Sequence, residues 1–232
     1  MAPPTPLVIA IDGPAAAGKS TIAQKLALRL GLMYVDSGAT YRAAALKALE
    51  DGVAPGDERA AIASIDSAEI GLRFWDSRLS VTLNGRDVTE QIRTPEVTLA
   101  AAQISRLPAV RSRLVALQRK FASNRGVVME GRDIGTVVFP DAPLKIFLTA
   151  RPEERARRRL NDEIRKGRGI TLEETASEIR RRDELDVQRE VAPLVSAPDA
   201  LIVDSTALTS DQVADKIIAL ARERNLLGPN RV

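Results

Sequence analysis

The sequence contains no cysteine and no histidine. The first absence excludes disulfides and thiolate metal sites. The second removes the commonest general base and metal ligand. Chemistry in this chain therefore falls to carboxylates, lysine, arginine and main-chain dipoles. Aromatic residues make up only 3%, too few for the stacking platforms that single-strand nucleic-acid binders display. A net charge of +3 over 232 residues is too mild to argue for nucleic acid by itself. No apolar run is long enough for a transmembrane helix. Met1–Pro6 lacks the charged start and apolar stretch of a signal peptide and reads as a short extended lead-in. With no cysteine to favour an oxidising compartment, the expectation is a cytoplasmic protein with neither membrane nor nucleic-acid partner. The 44% hydrophobic content suffices for a packed core, and the length suits one α/β domain with a smaller inserted or appended one.

What is present is concentrated first at Gly13-Pro14-Ala15-Ala16-Ala17-Gly18-Lys19-Ser20, which satisfies G-x-x-x-x-G-K-[ST] at every fixed position. Its setting agrees. Leu7–Ile11 reads as a buried strand, and Thr21–Leu30 reads as a helix with Ile22, Leu26 and Leu30 on one face. Gly13 and Gly18 let several N–H groups turn toward an anion, and the helix start adds partial positive charge. Lys19 is placed to reach terminal phosphates, and the Ser20 hydroxyl is a candidate ligand for Mg2+.

Four further apolar runs, 32–35, 127–129, 144–148 and 200–203, give five strands in all, separated by helical patterns. That alternation predicts a mostly parallel sheet covered on both faces, with ligands beyond the carboxyl ends of the strands. Asp36-Ser37-Gly38 and Glu130-Gly131-Arg132-Asp133 fall at such ends. The stretch from about 66 to 93 breaks the rhythm: Ile70–Phe74 and Leu79–Leu83 alternate, and Asn84-Gly85 signals a hairpin turn before Arg86-Asp87-Val88. It reads as a small antiparallel insert, either a substrate-binding subdomain or a decoration, flanked by helical patterns at 39–49, 96–104 and 109–121.

Residues 151–189 hold eleven arginines among ten carboxylates. On composition alone this reads first as a solvated, salt-bridged face. The spacing offers more. Arg155, Arg158 and Arg159 share a helical face, Gly167 and Gly169 interrupt, and 171–189 reads as a second helix with Arg182, Asp186 and Arg189 at i, i+4 and i+7. Helix, basic turn, helix describes a lid over a nucleotide; an exposed ion-pair ladder fits the same spacing. At Asp36–Arg42, Ser37 opens a helix with Arg42 on its first turns, which is either a second phosphate site or a plain helix cap.

Together these stretches resemble the bacterial cytidylate kinase family, nucleoside-monophosphate (NMP) kinases that phosphorylate CMP. The resemblance runs from Ile9 to Thr206 and is densest at Glu130-Gly131-Arg132-Asp133-Ile134-Gly135-Thr136-Val137-Val138-Phe139-Pro140. It implies a three-layer P-loop NTPase α/β fold with a five-stranded parallel sheet. A core of residues 1–60 and 105–232 would carry a helical lid at about 155–189 and an NMP-binding insert at about 61–104. It implies ATP as phosphoryl donor with Mg2+, CMP or dCMP as acceptor, and a monomer. Gly13 to Thr21 (Gly13, Pro14, Ala15, Ala16, Ala17, Gly18, Lys19, Ser20, Thr21) would hold ATP. Lys19, Arg132, Arg158 and Arg189 would stabilise the transferring group. Ser37, Arg42 and Arg132 would bind the CMP phosphate, Arg111 and Asp133 the cytosine, and Arg182 and Asp186 the ribose, with Arg189 closing the site. The chain departs from the family at Ala102, where members often carry a serine whose hydroxyl assists base recognition, so looser base selection is expected.

Overall fold

A computed structural model describes residues 6–122, 126–165 and 167–227. Most of the expected lead-in, residues 1–5, lies outside the described residues. The chain begins with β1 (Val8–Asp12), α1 (Lys19–Leu30), β2 (Met33–Asp36), α2 (Ser37–Glu50) and α3 (Glu58–Asp66). It continues through β3 (Ile70–Trp75), β4 (Arg78–Leu83), β5 (Arg86–Asp87), α4 (Pro95–Ile104) and α5 (Pro108–Ala122). It then forms β6 (Val127–Gly131), β7 (Leu144–Thr149), α6 (Pro152–Arg165), α7 (Leu172–Val187), β8 (Leu201–Asp204) and α8 (Ser210–Glu223).

The five strands read from the apolar runs form one sheet in the order β2-β6-β1-β7-β8. Ile9 pairs with Leu144 and Ile146 with Leu201 in parallel register. Ile9, Ile11, Val127, Val128, Leu144 and Leu148 are fully buried, which explains why the central strands are apolar at successive positions and do not alternate. The edge strand β8 is different: Val203 is buried while Ile202 is exposed.

The segment that broke the rhythm forms a separate antiparallel sheet, β3-β4-β5. Leu79, Val81 and Leu83 are its buried face. Asn84 (φ 51°) and Gly85 (φ 77°) make the hairpin turn that the sequence signalled. Asp76 (φ 46°) and Ser77 (φ 63°) make a second turn of the same hand, at a dipeptide that carries no such signal; aspartate tolerates the left-handed region. Helix α3 also escaped the periodicity reading. It has nine residues with only Ala61, Ser64 and Ile65 buried, but its cap is conventional, the Asp57 carboxylate accepting from Ala60 N–H at 2.9 Å.

Contacts divide the chain into two compact units, one of Met1–Leu32 with Val128–Val232, the other of Met33–Val127. Among the described residues no helix is long and apolar enough to cross a membrane.

Candidate active site

In the first unit, β1 ends at Asp12 and the chain turns through residues 13–18 into α1. Gly13 has φ 149°, and a Cβ there would lie 2.0 Å from the Leu148 carbonyl oxygen, so no side chain fits at the root of the loop. Gly18 (φ 95°) delivers Lys19 as the first residue of α1. Lys19 is buried, and its Nζ donates to the Pro14 carbonyl at 2.7 Å. Burial pushes its pKa down to about 7; Arg132 and Arg182 push the same way, against Glu130 and Asp12. A buried ammonium with too little fixed negative charge around it is the electrostatic form of an anion site.

Ser20 is exposed, and its hydroxyl donates to Glu130 Oε1 at 2.5 Å. Glu130 stands near the end of β6, where the sheet rule placed it. Asp12 accepts from the N–H groups of Ile134 (2.8 Å) and Gly135 (2.7 Å), the start of a π-helical turn over Ile134–Val138. Burial raises its pKa to about 6; the two N–H groups oppose the rise and Asp133 adds to it. These bonds fasten the chain that carries Arg132 and Asp133 to the root of the phosphate loop. Arg132 Nε donates to Asp186 at 2.7 Å. Burial works against the Arg132 charge, but Asp186 outweighs it and the pKa rises. Asp133 is buried.

Helices α6 and α7 pack on each other. The sequence expected Arg155, Arg158 and Arg159 to project together; the structure brings the first two onto phosphate-loop carbonyls and turns Arg159 away. Arg155 is buried and donates to the carbonyls of Ala150 and Ala15. Arg158 donates to the carbonyls of Ala17 (3.3 Å) and Ser205 (2.7 Å). Arg159 turns instead to the buried Glu163 at 3.0 Å. On α7, Arg182 is exposed and Asp186 half-buried. Arg189 lies beyond the end of the helix, not on it. The chain folds back there, Leu194 N–H reaching the Asp186 carbonyl at 2.8 Å, and Ala192 before Pro193 cannot continue a helix. Arg189 still meets Asp186 at 3.5 Å.

In the second unit, Asp36 ends β2 and caps α2, accepting from Ala39 N–H at 3.0 Å. The cap is therefore Asp36, and Ser37 is the buried first residue of the helix. Asp36 also pairs with Arg42 Nη2 at 2.7 Å. Burial favours its neutral form, yet Arg42 prevails and holds the carboxyl below its ordinary value. The Arg42 Nε is buried without a hydrogen-bond partner, and a Cβ on Gly38 would sit 3.0 Å from its Nη1, so Gly38 leaves the guanidinium its space. Arg111 on α5 is buried over the Tyr41 ring (5.6 Å), with Nη1 donating to the Ser105 carbonyl at 3.2 Å. Ala102 is on the exposed side of α4.

With this geometry in view, the sequence profile of the cytidylate kinase family matches residues 9–223. The chain belongs to the cytidylate kinase family. A cytidylate kinase of Caldicellulosiruptor bescii is 47% identical over 91% of this chain and 94% of its own length. One of Pelotomaculum thermopropionicum is 50% identical over 91% and 94%. Among solved structures, an uncharacterized protein from Eubacterium ventriosum superposes with a TM-score of 0.54 at 14% identity, covering 94% of this chain and 98% of its own, a likeness of fold alone.

Within this cytidylate kinase family member, Lys19, Ser20, Arg132, Asp133, Arg158, Arg182, Asp186 and Arg189 fall in the first unit, and Ser37, Arg42 and Arg111 in the second. Sequence reasoning passed over Asp183, whose carboxylate accepts from Ala15 N–H at 2.9 Å and pairs with Arg155. Its signal was available: Asp183 precedes Asp186 by three residues on one helix, and so shares its face. Asp12 was passed over and Glu130 quoted without a role, although Asp12 ends β1 and Glu130 is one residue from the end of β6, each beside a glycine.

Proposed function

We propose that this chain transfers the γ-phosphoryl group of ATP to CMP, and also to dCMP, forming CDP or dCDP and ADP. The observation that carries the reading is the phosphate loop itself, with no room for a side chain at Gly13 and with Lys19 buried at its end, Nζ turned back on the Pro14 carbonyl. The family's residues for a nucleotide acceptor support it. An oxygen of the CMP phosphate attacks the γ-phosphorus, the bond to the β,γ-bridging oxygen breaks, and ADP leaves. The acceptor is already an anion at neutral pH, so no strong base is required, and catalysis rests on position and charge. That suits a chain without histidine.

Residues 13–21 would hold the ATP phosphates through main-chain N–H groups, with the Lys19 ammonium on the terminal ones. The hard oxygens of Ser20 and Glu130 fit magnesium, which when bound would screen charge on the phosphates. Arg42 and Arg132 would grip the acceptor phosphate as charge-assisted clamps. Arg111 would donate to the cytosine acceptors and Asp133 accept from the N4 amine; uracil presents an acceptor there and would be repelled. Arg182 and Asp186 would meet the ribose, with Arg158 and Arg189 around the transferring group. We read the active species as a monomer, which light scattering checks.

The test is ADP release with ATP and magnesium against CMP, dCMP, UMP, AMP and GMP. Turnover highest with CMP or dCMP is expected. Equal or higher turnover with a purine monophosphate overturns the assignment of acceptor.

A further inference from the structure

Ala16, at the apex of the phosphate loop, has φ 57°. This left-handed conformation is disfavoured for any residue with a Cβ, and glycine is the usual occupant. Such a conformation persists only where the surroundings over-determine it. The surroundings here are specific. Both main-chain groups of the preceding residue are held from the α6–α7 pair. The Ala15 N–H donates to Asp183 Oδ1 at 2.9 Å, and the Ala15 carbonyl accepts from Arg155 Nη1 at 3.1 Å. Asp183 and Arg155 are joined by their own ion pair, and Arg155 is anchored on the Ala150 carbonyl. Beneath this clamp Ala15 packs with Ala156 and Ile179, with Ala16 and Ala176 against them. The residue before the strained one is thus held by both its main-chain groups, the N–H by a side chain from α7 and the carbonyl by one from α6.

We propose that Asp183 is a positioning residue that acts through Ala15: it holds the phosphate loop in its left-handed turn at Ala16 and thereby sets the affinity for ATP. Asp183 touches neither the phosphates nor the acceptor in this role. The inference rests on the ATP site proposed above and concerns how that site is kept in shape. It also accounts for a loop with three consecutive alanines where glycine would adopt the turn unaided.

The experiment measures binding of a non-hydrolysable ATP analogue by calorimetry, beside steady-state turnover, in Asp183→Ala, Asp183→Asn, Ala16→Gly and the double variant D183A/A16G. Asp183→Ala is expected to weaken analogue binding about tenfold, the scale of one left-handed residue released to relax. Asp183→Asn keeps an oxygen acceptor for Ala15 N–H and should recover most of the loss. Glycine adopts the turn without strain, so Ala16→Gly in the Asp183→Ala background should restore binding to within about threefold. A loss in Asp183→Ala that Ala16→Gly does not repair overturns the proposal, because the residue would then act on the helices alone. Analogue binding unchanged within twofold in Asp183→Ala also overturns it. Failure of the parent protein to phosphorylate CMP would sink the acceptor assignment while leaving the binding series readable.

Discussion

Lys19 and Arg42 both lie in the opening turns of a helix, and both are largely withdrawn from water, yet their charges are managed in opposite ways. Arg42 is matched to Asp36, six positions earlier in the chain, and the carboxylate responds with a lowered pKa. Lys19 donates to a neutral carbonyl, and burial together with the charges of Arg132 and Arg182 brings its own pKa down to about 7. The difference follows from the side chains. Guanidinium cannot shed its proton, so a buried arginine needs a fixed partner; an ammonium can, so a buried lysine tolerates a site short of negative charge until a ligand supplies it. The first cation is held in reserve and the second is already engaged.

Removing the reserve cation should have the largest effect. Lys19→Ala is expected to lower kcat about a thousandfold, the scale of a lost electrostatic stabiliser, with an unchanged circular dichroism spectrum. Near-normal turnover would remove Lys19 from the mechanism. Arg42→Met should act next, raising the KM for CMP about tenfold to a hundredfold as a charge-assisted contact is lost; Asp36→Asn, which keeps a capping oxygen, should leave that KM within about threefold and show whether the ion pair itself matters.

A third experiment reads the contrast directly. Phosphates beside Lys19 restore its charge, so ATP binding near pH 8.5 should take up about one proton, measured by calorimetry in two buffers of different ionisation enthalpy. Affinity should fall as pH rises above about 7. For the ligand-free protein the sign is the reverse. The folded pKa of about 7 lies below the ordinary 10.5, so the unfolded chain binds more protons between them, and this group makes stability rise with pH across that window. No proton uptake on binding would mean that Lys19 is already charged. The smallest effect is expected at Ala102. Ala102→Ser should improve the preference for CMP over UMP by about twofold to tenfold, the scale of one neutral hydrogen bond, and no gain would place that hydroxyl outside base recognition.

Much of this is legible in the sequence. The parallel strands were visible because burial on both faces leaves unbroken apolar runs, and the phosphate loop because its glycines answer to backbone geometry such as the Gly13–Leu148 approach. Asp183 showed only a shared helical face with Asp186, because nothing in the sequence marks a carboxylate that grips a main-chain N–H. Arg159 could not be told from Arg155 and Arg158 by spacing, since its direction is decided by a buried Glu163 one turn away. The second hairpin turn and α3 were missed for a local reason: Asp76-Ser77 is an unusual pair for that conformation, and α3 buries too little to show a period.

The burial of Lys19 and Asp12 at one loop has a use beyond catalysis. A chain without imidazole or thiol lacks the side chains that ordinarily titrate through neutrality. Against that silence the displaced ammonium and carboxyl, at about 7 and about 6, become reporters native to the molecule. Proton uptake measured as nucleotide is added, with the nucleotide's own phosphate ionisation near neutrality subtracted, would follow the occupancy of the phosphate loop without a label.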